Sequence, residues 1–185
     1  MTRLFLRWCL LLSISLLGAL CPAKAQNQPN LTLTILPTTY ASSGGAGPTI
    51  SFGRGHFHVL LTNTSAAPVT LFEEWNSWGY YGLSFELTVA DGRRLQVSRK
   101  PRGWDKNFSS TFTLAPQGSY VFEVSFDQTW TNSPRQAPHT GEPLVCRLRA
   151  IYSIAPTEEP LRPDPTVHPW AGTVSSQEQT YALWP

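Results

Sequence analysis

The chain has 185 residues, with 14 Lys+Arg against 12 Asp+Glu, 12% aromatic residues and only 14% charged ones. Three of the basic residues (Arg3, Arg7 and Lys24) fall in the first 25 positions, which hold no acid. The other 11 Lys+Arg face 12 Asp+Glu, which leaves no electrostatic case for nucleic acid as a partner. Few charges and many large rings point to sheet faces rather than to Glu- and Lys-rich helices.

Residues 1–25 read as a signal peptide. Arg3 and Arg7 form a basic start, Trp8 to Leu20 an apolar run, and Ala23-Lys24-Ala25 a small-residue cleavage site, with the cut expected after Ala25. Cys21 raises lipidation as an alternative, but Leu20 stands where a lipobox needs a small residue. No later run reaches the 18 or so apolar residues of a membrane span. The expectation is a secreted or periplasmic protein, with residues 26–185 forming a single domain. In that region Cys146 is the sole cysteine, so no internal disulfide can staple it. Cys146 reads as a small buried hydrophobe.

Leu31 to Leu36 alternates with period two and predicts a first strand, ended by Pro37. Thr38 to Gly55, with Ser42-Ser-Gly-Gly-Ala-Gly-Pro48, reads as a flexible loop or frayed edge. His56 to Ser65 is the clearest strand, with Phe57, Val59 and Leu61 on one face and His56, His58 and Thr62 on the other. Asn63-Thr-Ser65 turns the chain, and Pro68-Val-Thr-Leu71 starts the next strand. Phe72 to Leu87 packs two Trp, two Tyr and two Phe around a Gly-rich kink. It continues as a strand with Leu83, Phe85, Leu87 and Val89 inward and Ser84, Glu86 and Thr88 outward. Ala90-Asp-Gly-Arg93 predicts a hairpin with a type I′ turn, and Leu95 and Val97 lie on its return strand.

Arg99 to Asn107 is a basic, turn-rich loop holding Trp104. Phe108 to Leu114 is a short strand, and Tyr120, Phe122, Val124 and Phe126 alternate along the next. A loop with Trp130 follows from Gln128 to Pro143. Leu144, Cys146, Leu148, Ala150, Tyr152 and Ile154 form the longest alternation, which predicts a central strand. The Pro-rich segment 155–169 excludes a regular element, and residues 170–184 supply a last strand or a split pair.

Seven to nine short strands at turn-punctuated spacing predict an all-β antiparallel sandwich. The pattern Phe57-x-Val59-x-Leu61-x-Asn63-x-Ser65, followed by Pro68-Val69-x-Leu71, resembles the B-to-C segment of secreted bacterial immunoglobulin-like domains. It is similar to Bacillus-type proteinase inhibitors and transglutaminase C-terminal-like domains. The Leu114-x-Pro116-x-Gly118 link resembles their E-to-F region. The resemblance implies an immunoglobulin or fibronectin-III-like sandwich, and proteinase inhibition as one function among several.

The sequence holds no Cys-x-x-Cys, no His-Glu-x-x-His, no Gly-x-Ser-x-Gly and no phosphate-cradling loop. Neither an enzyme nor a cofactor is therefore expected. His56 and His58, with His139 or His168, have metal-ligand residue types, but two polar residues on a solvated sheet face explain them. Glu73 and Glu74 are adjacent on the chain and would point to opposite faces of a strand, unlike a glycosidase pair. Asn30, Asn63 and Asn107 fit a glycosylation pattern, which turn chemistry also explains at Asn63.

Trp75, Trp78, Tyr80 and Tyr81, extended by Trp104 and Trp130, are the candidate ligand-binding residues. Two readings stand: a hydrophobic plug closing one end of the sandwich, which is favoured, or a stacking platform for a sugar or a protein. The functional expectation is a non-enzymatic domain that binds another envelope or extracellular protein, or supports an envelope structure. A carbohydrate-binding module and a proteinase inhibitor are the alternatives.

Overall fold

The computed structural model describes residues 31–39, 47–51, 56–134, 141–157 and 166–184. The expected signal peptide, Cys21 and residues 158–165 of the Pro-rich segment lie outside these residues, as does His139. The described chain is mostly β, in eleven strands and one short helix: β1 (Leu31–Leu36), β2 (Thr49–Ser51), β3 (Phe57–Asn63), β4 (Val69–Phe72), α1 (Ser77–Tyr80), β5 (Leu83–Val89), β6 (Arg94–Ser98), β7 (Thr111–Leu114), β8 (Ser119–Val124), β9 (Leu144–Ile154), β10 (Gly172–Ser175) and β11 (Gln179–Trp184). None of its helices is long and apolar enough to cross a membrane.

One sheet runs β1-β3-β8, all antiparallel, and the hairpin-like pair β4-β7 continues the β3-β8 pairing beyond a corner. The other sheet runs β2-β11-β9-β5-β6, with β10 extending β11 along the same side of β9. The sheets face each other through Phe57 on β3 against Phe85 on β5, and through Phe122 on β8 against Tyr152 on β9, with ring centroids 5.7 and 5.6 Å apart. Cys146 is free, and no disulfide holds the sheets among the described residues; the centre of the core is a cluster of rings. Phe57, Phe85, Phe126 and Trp130 meet edge to face, the geometry that aligns ring quadrupoles favourably. Phe126 adopts a positive φ of 47° to place its ring there. That conformation is costly for a bulky residue and is held by complete burial of the ring.

Strand β9 is central as the alternation predicts. It lies between β5 and β10/β11, and all its predicted inward residues are buried except half-buried Leu144. The last segment is the split pair, interrupted at Ser176. The Ser176 amide donates to the Ala150 carbonyl, and its hydroxyl accepts from the Ala150 amide.

Three expectations need correction. The sheet is not wholly antiparallel: β2, hidden in what reads as a loop, runs parallel to β11 and buries Ile50 completely. The Asp-Gly hairpin forms, but its turn is a three-residue loop with only Gly92 at positive φ (85°). Gly92 donates to the Val89 carbonyl and Val89 to the Arg93 carbonyl, the pattern of a type I turn closed by a bulge. Thr88 is also not outward-exposed. It pairs across the strands with Arg94 and Arg147 and is buried, because long side chains on both sides cover it. Beside it, Glu86 bridges Arg149 at 2.6 Å and Arg94 at 3.3 Å.

The corner between β3 and β4 is built on Asn63, which is fully buried. Its Nδ2 donates to the carbonyls of Ala67, Leu114 and Ala115, and its Oδ1 accepts from the Ser65 amide and hydroxyl. The Ser65 bond closes the local Asx turn that the sequence predicts. A side chain so engaged offers no nitrogen for a glycan.

Candidate aromatic and arginine surface

The Gly-rich kink after β4 is the helix α1, a single turn started by Asn76. The Asn76 Oδ1 accepts from the Gly79 amide at 3.0 Å, satisfying a helix-start donor, while its Nδ2 donates to the Ser110 carbonyl. Gly79 is required by contact: a Cβ there would overlap the Glu73 carbonyl, whose carbon would lie at 2.7 Å. Asn107 clamps the following loop onto the helix, accepting from the Ser77 amide and donating to the Ser77 hydroxyl.

These contacts fix the rings in two directions. Trp78 turns inward and stacks on buried Phe72 (6.0 Å), against the core. Trp75 turns outward, 43% exposed, in edge contact with Phe108, 52% exposed, at 4.8 Å. Tyr81 is also exposed and meets half-buried Tyr80 edge to face at 4.9 Å, and Tyr80 meets half-buried Trp104 at 5.5 Å. Trp130 leaves the candidate surface. It is fully buried among Phe85 and Phe126, so no face of its ring is open to a ligand.

Two arginines join the rings into one array. Arg99 pairs with Trp130 in a backbone bridge and holds its guanidinium 4.2 Å from the Trp130 ring centre and 5.3 Å from that of Tyr80. Arg102 lies over the other elements of the array, 4.4 Å from Tyr80 and 3.9 Å from Trp104. Each such contact contributes about 0.5–1 kcal/mol at an exposed site and about 2 when desolvated. The Arg102 amide donates to the Tyr81 hydroxyl at 3.3 Å, and its side chain donates to the Trp75 carbonyl. The loop carrying both arginines is tied down by the Lys100 amide, which donates to the Thr129 carbonyl.

The inner edge of the array is acidic. Glu74 accepts from the Tyr120 hydroxyl at 2.8 Å. Burial pushes the Glu74 carboxyl above its ordinary range, against the opposing pull of the Tyr120 bond and the Arg99 charge. Burial also raises the Tyr120 phenol, reinforced by that bond. Asp127 goes the other way. Burial alone would raise it, but bonds from the Thr129 hydroxyl and amide and from Ser125 outweigh burial and lower it. Burial lowers Arg99, with Tyr80 and Glu74 opposing, yet a guanidinium stays charged throughout the physiological range.

Of the six sequence-predicted residues, Trp75, Tyr80, Tyr81 and Trp104 share the surface, while Trp78 and Trp130 support it from inside. Sequence reasoning missed Arg99, Arg102, Asn107 and Phe108. The available signal was the spacing Arg99-x-x-Arg102-x-Trp104 beside an aromatic stretch, which suits guanidinium–ring stacking. His56 instead pairs with Glu123 at 3.2 Å on the outer face of the smaller sheet. Among the described residues, no group of three His, Cys, Asp or Glu is placed to hold a metal ion.

The architecture and the surface define a class, a mostly-β chain of several sheets that carries an aromatic and arginine face. Comparison with protein-family models, with curated proteins and with solved structures finds no match to this chain.

Proposed function

We propose that the chain is a secreted, non-enzymatic immunoglobulin-like domain that binds another protein through the Trp75–Tyr81–Arg102–Phe108 face, in the envelope or outside the cell. Strand order supports the fold reading. The sheet β1-β3-β8 parallels the A-B-E order of an immunoglobulin sandwich, and β11-β9-β5-β6 parallels G-F-C-C′. On that lettering the Leu114 to Gly118 link leads into E, rather than from E to F. Departures are the parallel strand β2 and the β4-β7 extension beyond the Asn63 corner.

One observation carries the functional reading: the Arg102 guanidinium lies over both Tyr80 and Trp104. A sugar-stacking platform needs free ring faces, and here a cation occupies those at the centre of the array. Trp, Tyr and Arg held rigid around a partly exposed apolar pair is instead the composition of protein-binding hot spots. A photo-crosslinking residue at position 108, in the living source cell, tests this. The expected result is a discrete protein adduct that an inward-facing probe at position 78 does not give. No adduct at 108, together with saturable binding on a glycan array, would transfer the face to the carbohydrate-binding alternative.

A further inference from the structure

The charge distribution around this face specifies its partner. Residues 99–107 contain Arg99, Lys100, Arg102 and Lys106 against Asp105 alone. Outside residues 1–25, the rest of the chain holds seven basic and eleven acidic residues. A protein that is otherwise net acidic therefore concentrates positive charge on one short loop. Fold contacts neutralise part of it, since Arg99 faces Glu74 and Asp127. They do not neutralise Arg102: among the described residues no carboxylate bridges it, and its partners are two ring faces and the Trp75 carbonyl. Lys100 and Lys106 are exposed in the same loop.

The donors here are directional as well as positive. Stacking on Tyr80 and Trp104 restrains the plane of the Arg102 guanidinium, so less rotamer entropy is lost when its planar fork meets a carboxylate. Tyr81 accepts from the Arg102 amide, which leaves the phenol hydrogen as a donor toward solvent. Trp75 and Phe108 form an apolar rim beside these donors.

We propose that this face binds a carboxylate-rich protein segment, with partner Asp or Glu side chains on Arg102 and Tyr81 and an apolar residue against Trp75 and Phe108. The inference rests on the protein-binding reading above and gives that partner its chemistry. An anionic membrane is the competing source of negative charge. The fixed ring pairs and the single planar guanidinium favour a carboxylate over a diffuse lipid surface, where flexible basic side chains and freely inserting rings serve better.

The test titrates the full protein with poly-L-glutamate at low salt, following Trp fluorescence. Poly-L-lysine serves as the charge control and phosphatidylglycerol vesicles as the membrane arm. Saturable binding to polyglutamate is expected, weakening steeply as salt shortens the screening length from about 30 Å at 0.01 M to about 8 Å at 0.15 M. Arg102→Gln should weaken it roughly tenfold or more, and Arg102→Lys should restore only part of the loss. Tyr81→Phe, which keeps the ring, should weaken it by a smaller factor. No binding to polyglutamate, equal binding to polylysine, binding unchanged in Arg102→Gln, or binding to vesicles alone would each overturn the proposal. If polyglutamate fails while the probe at position 108 still captures a protein, the acidic partner is wrong and the protein-binding reading survives. If both fail, both readings fall.

Discussion

Asn63 offers the sharpest test of how the two parts of the smaller sheet are joined. Asn63→Ala removes a side chain that is fully buried and whose two amide hydrogens are shared among three carbonyls, at 2.8, 3.1 and 3.2 Å. The Leu114 carbonyl lies in a buried part of the corner, where water does not replace the lost donor, so it costs about 1–3 kcal/mol. The Ala67, Ala115 and Ser65 groups are partly reached by solvent, and each loses about 0.5–1 kcal/mol net. The backbone bonds of Asn63 to Gly118 and Gln117 remain. The total is roughly 2.5–6 kcal/mol, a large fraction of the about 5–15 kcal/mol that holds a domain. At about 2–4 °C per kcal/mol for a chain of this size, the melting temperature should fall by roughly 5–24 °C. Urea unfolding at constant m-value reads the loss directly. Asn63→Asp keeps the volume and the Ser65 acceptor but points a carboxylate at three carbonyls. It should be at least as damaging at neutral pH and partly recover in acid, where a protonated carboxyl can donate. A loss below about 1 kcal/mol for the alanine variant would refute the reasoning, because it would mean that the corner holds without these bonds.

Four further outcomes are expected. Gly79→Ala should cost about 1–3 kcal/mol through the overlap with the Glu73 carbonyl, and should raise acrylamide quenching of Trp78; unchanged melting and quenching would contradict the close approach. Glu74 has its folded-state carboxyl raised by burial, so the folded protein holds this proton more tightly than the unfolded chain does. Its stabilising share is complete below the ordinary value of 4.5 and is lost as pH rises through the raised value. Glu74→Gln keeps an acceptor for Tyr120, so urea midpoints across pH 4–8 should fall less toward neutral pH than those of the parent; parallel curves would show that this carboxyl is not the cause. Burial pushes the Cys146 thiol up to about 12, so it should resist a thiol reagent at pH 8 until urea unfolds the chain, and rapid native labelling would place it on the surface. Leu148→Asp buries a charge in the middle of β9 and should leave no cooperative thermal transition; a near-parental melt would contradict the burial of that face.

The sheet was legible wherever a residue's neighbours in space are also its period-two neighbours in sequence. The β9 alternation from Leu144 to Ile154 needs only one buried face, and that is what the strand has. Strand β2 was not legible. Three residues beside Gly47 and Pro48 carry no period, and their burial comes from β11, over a hundred residues away. Thr88 fails for a related reason. A polar residue at an outward position predicts exposure only if its cross-strand neighbours are short, and here both are arginines. The turn type at Asp91-Gly92 was illegible because one residue of register separates a two-residue from a three-residue loop, and both accept Gly at positive φ.

The candidate surface divides along the same line. Its rings are conspicuous in sequence, but which of them face water depends on the helix start at Asn76, on the Glu73 carbonyl pressing on Gly79 and on the clamp from Asn107. Of these, the turn at Asn76-Ser77 and Gly79 is legible, because an Asn three residues before the amide it caps is a local signal; the Glu73 approach and the Asn107 clamp are not, because they join residues that share no period. The rings therefore divide into two sets. Trp78 packs against the core and Trp130 lies within it, and their positions fix those from which Trp75, Tyr81 and Arg102 reach solvent. Arg99 links the two halves, with one side on buried Trp130 and the other on Tyr80. A substitution at Arg99 should accordingly disturb the outer face and the core together. One at Arg102 should alter binding while lowering the melting temperature by only about 2–8 °C, since its two exposed stacking contacts contribute only about 0.5–1 kcal/mol each. If Arg102→Gln melted as low as Arg99→Gln, the outer face would be part of the fold's support, and its arrangement would need no partner to explain it.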